Sequence, residues 1–204
     1  AVNQHVLIPR QDTETLVEEA MPLLHSGMHF LDLCTGSGCV AISLLTYSLG
    51  TVADATDISA EALEVAEDNA FTLGFCERIR LMQCDLYPPL AKKPEKGYDL
   101  IIANPPYIRE EEIAHLMPEV RDHEPHIALS GGRDGLDFYR RILKSAGDYL
   151  ARGAMLLTEV GYDQAQTVSA MFTEAGFVDV RMHKDLNGIL RVVSGIFRKD
   201  RHVG

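Results

Sequence analysis

The chain has 204 residues, 46% hydrophobic and 24% charged, which suits one domain with a single substantial core. Its formal net charge of −11 argues against a protein that grips duplex DNA or RNA through phosphates, because such a protein presents a basic patch. No apolar run is long enough to span a bilayer and no secretory signal is visible, so a cytoplasmic location without membrane contact is expected.

The basic residues form two small groups, Lys92, Lys93 and Lys96 in one loop and Arg198, Lys199 and Arg201 at the end. Both read as solvated charge. The acidic balance is compatible with a basic protein partner. The cysteines, Cys34, Cys39, Cys76 and Cys84, form no C-x-x-C pair and read as buried, reduced thiols. The histidines are scattered and no metal-ligand spacing occurs, so no metal site is expected. The first residue is Ala rather than Met, which suggests that something upstream has been removed.

In chain order, residues 1–11 read as extended and irregular, with Pro9 as a breaker. Asp12 or Thr13 can cap a helix to about Leu24, whose apolar positions Leu16, Val17, Ala20, Leu23 and Leu24 have helical spacing. A first strand is predicted over 29–34, a helix over 38–49 and a second strand over 51–57. Ser59 caps a helix to about Leu73, with Gly74 as its stop. Strands follow over 79–83 and 98–103, then a long loop over 108–133. A helix over 136–150 places Phe138, Ile142, Leu143 and Ala146 on one face. A fifth strand over 154–160 and a helix over 163–175, ended by Gly176, come next. The last strands, 177–183 and 191–197, flank the turn-type pair Asn187-Gly188 and suggest an antiparallel hairpin. Strand–helix alternation implies a mostly parallel sheet with helices on both faces.

Asn104-Pro105-Pro106-Tyr107 is the most informative motif. Neither proline has an N–H for a ladder, so the strand must stop in a stiff turn at its carboxyl end. Ligands bind at that edge in open α/β sheets. The Asn104 side-chain oxygen and the Pro105 carbonyl can each accept a hydrogen bond, and Tyr107 offers a flat face. Together they suit a planar –NH₂ group. Three earlier strand ends strengthen this reading. Cys34-Thr35-Gly36-Ser37-Gly38 is a glycine turn that lets backbone approach a ligand, although Ala41 stands where a dinucleotide fingerprint has its third glycine. Asp57 can accept ribose hydroxyls. Asp85 can accept from an adenine amine while Leu86 covers the ring. For Asp57 the alternative is a turn or helix-capping aspartate, and for the long loop a flexible insertion.

This ordered set resembles the class I S-adenosylmethionine-dependent methyltransferases, with a Rossmann-like, seven-stranded, mostly parallel sheet whose last strand is antiparallel. Further segments narrow the resemblance: Leu7-Ile8-Pro9-Arg10-Gln11-Asp12-Thr13-Glu14, Glu124-Pro125 through Ala128-Leu129, Gly131-Gly132 with Gly135-Leu136, and Lys184-Asp185-Leu186. Together they are similar to the HemK/PrmC family, protein-(glutamine-N5) methyltransferases acting on peptide chain release factors, and the likeness covers nearly the whole chain.

The resemblance implies that S-adenosyl-L-methionine is consumed and S-adenosyl-L-homocysteine released. It implies that residues 34–38 contact the methionine part of the cofactor, Asp57 the ribose, and Asp85 with Leu86 the adenine. Asn104, Pro105, Pro106 and Tyr107 would hold the glutamine of a Gly-Gly-Gln loop, Asn104 also bordering the cofactor. Cys34 stands where the family usually has glycine, and Ile189-Leu190 where it often has Arg-Asp. A small helical domain that usually precedes this one is expected to be missing, leaving 1–25 as a lead-in segment and helix over the active-site edge and 26–204 as the catalytic domain. The alternative from the same amine receptor is an adenine-N6 methyltransferase acting on DNA or RNA.

Overall fold

The computed structural model describes residues 1–198, so Lys199 and Arg201 of the basic tail lie outside the described residues. Helix α1 (Asp12–Ala20) leads through a short 3₁₀ turn (Met21–Leu23) into β1 (His29–Leu33). Then come α2 (Cys39–Tyr47), β2 (Val52–Asp57), α3 (Ala60–Leu73), β3 (Ile79–Gln83) and β4 (Tyr98–Ala103). The predicted long loop holds three one-turn helices, α4 (Glu110–Ile113), α5 (Pro118–Arg121) and α6 (His126–Leu129). The chain closes with α7 (Asp137–Tyr149), β5 (Leu150–Glu159), α8 (Ala165–Glu174), β6 (Phe177–Lys184) and β7 (Leu190–Phe197).

The strands form one seven-stranded sheet in the order β3-β2-β1-β4-β5-β7-β6. Strands β1 to β5 pair in parallel, and β7 runs antiparallel to both β5 and β6. The expected fold, a Rossmann-like methyltransferase sheet with an antiparallel last strand, is therefore the observed one. Alternate residues serve opposite faces. Phe30, Leu100, Ile102 and Leu157 pack with Leu16, Ala20, Ala41 and Leu44 of α1 and α2. Leu31, Ile101 and Leu156 pack with Ile142, Val168 and Phe172 of α7 and α8. A parallel strand covered on both faces reads as an apolar run, as β4 does. No helix among the described residues is long and apolar enough to cross a membrane.

Several local expectations are met for the stated reasons. Ser59 caps α3, its hydroxyl accepting from the Ala62 N–H at 3.0 Å. Gly74 ends that helix in the left-handed region at φ 78°. Other expectations need correction. Neither Asp12 nor Thr13 caps α1; Gln11 holds the cap position without a side-chain bond. Tertiary partners claim both side chains instead, Asp12 pairing with Arg191 and Thr13 bonding Asn104. Tyr139, not Phe138, is the aromatic buried with Ile142, Leu143 and Ala146. Cys76 is exposed rather than buried, beyond the end of α3. The 108–133 segment is not a loose insertion. The Ile108 N–H donates to the Leu129 carbonyl at 3.0 Å, and the Gly131 N–H to the Ile108 carbonyl at 2.9 Å. The segment thus returns to the strand end it left.

Candidate active site

Sheet register decides which side chains meet. Leu33 is paired with Thr56 on one side and Ala103 on the other, and Ala103 with Thr158. One residue further, Asp57, Cys34, Asn104 and Glu159 therefore stand in a row along the carboxyl edge. The strand order reverses between β1 and β4, which opens a crevice there. A cleft of about 880 Å³, open to solvent, occupies it. Cys34, Thr35, Gly36, Ser37, Asp57, Asp85, Leu86, Asn104 and Pro106 line the cleft, so most of the predicted site residues are brought together. Gly38, Pro105 and Tyr107 do not line it. Gly38 sits at the cap of α2, with φ 77° and Ile42 and Ala66 packed close behind.

The glycine turn is fixed from two sides. The Thr35 hydroxyl donates to Asp32 at 2.6 Å, and the Gly36 N–H donates to Asp57 Oδ2 at 2.9 Å. The other Asp57 oxygen accepts from the Ser59 N–H at 3.0 Å. The turn alternative for Asp57 is thus realised too, Ser59 and not Asp57 capping α3, yet each Asp57 oxygen keeps a free lone pair for a hydroxyl in the cleft. Cys34 has φ 59° and Leu86 φ 64°, a region that favours glycine. Strain of this kind, of order 1–3 kcal/mol per residue, concentrates at functional sites. At Leu86 the carbonyl is held by the Thr56 hydroxyl at 2.7 Å. Asp85 is paired with Arg141 of α7 at 2.6 Å, an arrangement absent from the sequence-based expectation.

Burial sets the electrostatics. Asp32 is 1% exposed. Its burial, reinforced by the charge of Asp57, pushes its carboxyl up to about 7 against the pull of the Thr35 hydroxyl. Cys34 is raised well above the usual thiol range by burial and by the charges of Asp57 and Asp32. It is a poor nucleophile in this setting.

The Asn-Pro-Pro-Tyr turn is held by partners spread over the chain. Asn104 Nδ2 donates to the Thr13 hydroxyl at 3.1 Å, leaving its Oδ1 unclaimed as an acceptor. The Tyr107 carbonyl accepts from Gln164 Nε2 at 2.9 Å. Glycines 131 and 135 press against the Tyr107 backbone. A Cβ at Gly135 would fall 2.4 Å from the Tyr107 carbonyl oxygen, and one at Gly131 would fall 2.7 Å from the Tyr107 Cα. That contact is the physical reason for the glycine pair downstream of the motif. The Tyr107 hydroxyl points away from the cleft and donates to Glu159 Oε1 at 3.2 Å.

Several cleft residues had no site role in the sequence reading. His5, Val6, Leu7, Pro9 and Thr13 come from the lead-in and α1, Ile127 and Ala128 from α6, Ile58 from the β2 end and Phe138 from α7. Arg10 bonds the buried Glu124 at 2.5 Å, tying the lead-in to the segment before α6. Both segments carry motifs in the sequence, but no local pattern says that they face each other. Glu159, which has no site role in the sequence, carries the same signal as Asp57, an acid at the end of a parallel strand.

Residues 11–120 match the model of the "Methyltransferase small domain" family. A release factor glutamine methyltransferase of Geobacter sulfurreducens is 43% identical over 95% of this chain and 66% of its own. One of Clostridium acetobutylicum is 40% identical over 96% of this chain and 69% of its own. The chain thus spans about two thirds of the length of these relatives. Among solved structures, a protein-(glutamine-N5) methyltransferase (release factor-specific) from Alicyclobacillus acidocaldarius superposes with a TM-score of 0.57 at 33% identity, covering 94% of this chain and 95% of that one.

Proposed function

This chain belongs to the release factor glutamine methyltransferases, and from that membership we propose that it moves a methyl group from S-adenosyl-L-methionine to the side-chain amide nitrogen of the glutamine in the Gly-Gly-Gln loop of a peptide chain release factor. The observation that carries this reading is the Asn104 amide, anchored through Nδ2 to Thr13 with Oδ1 left to accept at the cleft. In this reading, residues 1–25 form a lead-in over the active-site edge and 26–204 the catalytic domain.

The cleft suits the proposed cofactor. Asp57 has lone pairs for a ribose, Asp85 keeps an acceptor for an amine beside Arg141, and Ile58, Leu86 and Phe138 offer apolar walls for a ring. The turn at Cys34–Gly36 would take the amino-acid end. At Gly36 nothing lies within 4 Å of the place a Cβ would fill, so a ligand can approach its backbone.

Bound S-adenosyl-L-methionine supplies an electrophilic methyl on a positive sulfur, the carbon–sulfur bond breaking as the nitrogen–carbon bond forms and S-adenosyl-L-homocysteine leaves. The chain's own work is orientation. An amide nitrogen is a weak nucleophile because its lone pair is delocalised into the carbonyl. Asn104 Oδ1 and the Pro105 carbonyl each accept one N–H of the substrate amide, aiming the nitrogen and opposing that delocalisation. Orientation of this sort lowers a barrier by several kcal/mol, up to about 7–11 in the best cases. The cationic methylated amide is strongly acidic and loses its proton to water.

Mass spectrometry of a release factor incubated with the chain and S-adenosyl-L-methionine tests the reading, with a factor carrying Gln→Ala in the loop as control. One added methyl on that glutamine, absent from the control, is expected. Methyl transfer to an adenine oligonucleotide and none to the factor would replace the reading with the alternative.

A further inference from the structure

Gln164 is a buried amide to which the proposed reaction gives no task. It is 4% exposed and stands between β5 and α8. A side-chain amide has two N–H groups to donate and two lone pairs to accept with. Gln164 uses all four. Its Oε1 accepts from the Gly161 N–H at 2.9 Å and from the Tyr139 hydroxyl at 3.3 Å, a proton that Tyr139 shares with the Glu159 carbonyl at 3.1 Å. Its Nε2 donates to the Tyr107 carbonyl at 2.9 Å and to the Gly135 carbonyl at 3.3 Å. Close approach at both ends requires glycine. A Cβ at Gly161 would fall 2.8 Å from Gln164 Oε1, and one at Gly135 would fall 2.6 Å from Gln164 Nε2.

The two ends of this amide do different work. The oxygen closes a local turn, since the Gln164 backbone N–H donates back to the Gly161 carbonyl at 3.0 Å. A glutamate could close that turn as well, as it does in a capping box. The NH₂ group is what an amide adds. It reaches 57 residues back to Tyr107 and 29 back to Gly135, and so ties the Asn-Pro-Pro-Tyr turn to the glycine turn before α7.

The Asn-Pro-Pro-Tyr turn is then pinned at both ends, Asn104 by Thr13 and Tyr107 by Gln164. Each proline between them holds φ at about −65°, so little besides the ψ angles is left to vary. With both ends held, ψ has little room, and the Pro105 carbonyl keeps one direction.

We propose that Gln164 is a positioning residue of the methyl transfer: its NH₂ group fixes the end of the Asn-Pro-Pro-Tyr turn, and with it the direction in which the Pro105 carbonyl receives the substrate amide. The proposal rests on the glutamine-methylation reading of the same site.

The test is methylation of a release factor at pH 6 and pH 8 by the wild type, Gln164→Met, Gln164→Glu and Gly161→Ala. Both kcat, counted per bound cofactor, and the KM for the factor are measured, with S-adenosyl-L-methionine affinity alongside. Gln164→Met keeps the shape and removes both donors. Its kcat should fall by roughly 10- to 100-fold at both pH values, with KM and cofactor affinity within about threefold of wild type. Gln164→Glu is the conservative rescue. A buried carboxyl holds its proton more tightly than an exposed one, and the protonated form can donate to the Tyr107 carbonyl. Its kcat relative to wild type should exceed that of Gln164→Met, most clearly at pH 6. A packing role alone would give the two variants the same turnover. The titratable groups near the amide are the Tyr139 phenol of α7, kept protonated by burial, Glu159 of β5, whose backbone carbonyl shares that phenol, and Asp163, which pairs with Arg109 at 2.7 Å. Comparing each variant with the wild type at the same pH cancels their titration.

Gly161→Ala displaces the Gln164 side chain without changing its chemistry, because Gln164 atoms are the nearest neighbours of the added Cβ. It should lower kcat by about 3- to 10-fold, again with cofactor affinity kept, and it decides the question if Gln164→Met does not fold. Gln164→Met with wild-type kcat overturns the proposal, as does Gln164→Glu no faster than Gln164→Met at pH 6. So does Gly161→Ala with wild-type kcat. A wild type that binds cofactor but methylates no release factor overturns the functional reading, and this proposal with it.

Discussion

The side-chain amide of Asn104 is held by the hydroxyl of Thr13 at 3.1 Å, across 91 residues of sequence. The donor end of the amide is thus occupied by the protein and the acceptor end is free. An asparagine so anchored can discriminate a substrate N–H from a substrate carbonyl.

Replacing Asn104 by Ala removes that acceptor and nothing that carries the cofactor's charge or ring. Turnover should fall by about 100-fold or more, the magnitude typical of deleting a preorganised hydrogen bond at a reacting group. Cofactor affinity should stay within about threefold. Calorimetric titration alongside single-turnover methylation separates the two, and unchanged turnover would sink the mechanism.

Asp57 joins three parts of the site, accepting from the Gly36 and Ser59 N–H groups while facing the cleft. Asp57→Ala leaves two backbone donors without their partner. Cofactor affinity should weaken by at least about tenfold, one charge-assisted hydrogen bond being worth roughly 1.5–3 kcal/mol. The melting temperature without cofactor should drop as well. A variant that binds cofactor normally would remove Asp57 from the binding site.

Gly135 has φ 75°, and a Cβ there would fall 2.4 Å from the Tyr107 carbonyl oxygen and 2.6 Å from Gln164 Nε2. Gly135→Ala must therefore displace the Asn-Pro-Pro-Tyr turn or its Gln164 anchor. A stability loss of about 1–3 kcal/mol is expected, with a larger loss of turnover than of cofactor affinity. Denaturant unfolding and methylation assays of one preparation read both effects.

Asp32 carries a sign that pH can read. Its carboxyl is raised to about 7 in the fold by burial, above the ordinary value near 3.9. It therefore contributes stability that is fully present below about pH 4 and is lost as pH rises through about 7. Asp32→Asn keeps an acceptor for Thr35 but does not titrate. The variant should gain on the wild type by up to about 4 kcal/mol between pH 4 and pH 8, each tenfold change in proton affinity being worth about 1.4 kcal/mol. A stability difference that does not change with pH would show that Asp32 is ionised at no cost to the fold.

Much of this molecule is written locally. Apolar runs with helical or strand period, Gly74 and Gly176 as stops, and Ser59 as a cap place most elements within a few residues. The reason is that backbone hydrogen bonding and φ preferences act over a few positions. Glycine turn, Asp57, Asp85 and Asn-Pro-Pro-Tyr announce a site because each ends a strand, and strand ends of a parallel sheet share one edge.

Local pattern could not say what those residues touch. Thr13 looks like a helix cap in the sequence, yet in the fold its hydroxyl anchors Asn104. Tyr107 looks like a stacking face, yet its hydroxyl is buried against Glu159. Arg10 and Glu124 are 114 residues apart and bond each other in the fold. Glu159 is one acid among 30 acidic residues in the sequence, and only the pairing of Ala103 with Thr158 sets it beside Asn104. Residue pattern was enough for the elements, the sheet and the edge where chemistry gathers. Which atoms are free to act at that edge depended on the folded chain, because a hydrogen bond is directional and its partner is set by register and packing, not by distance along the chain.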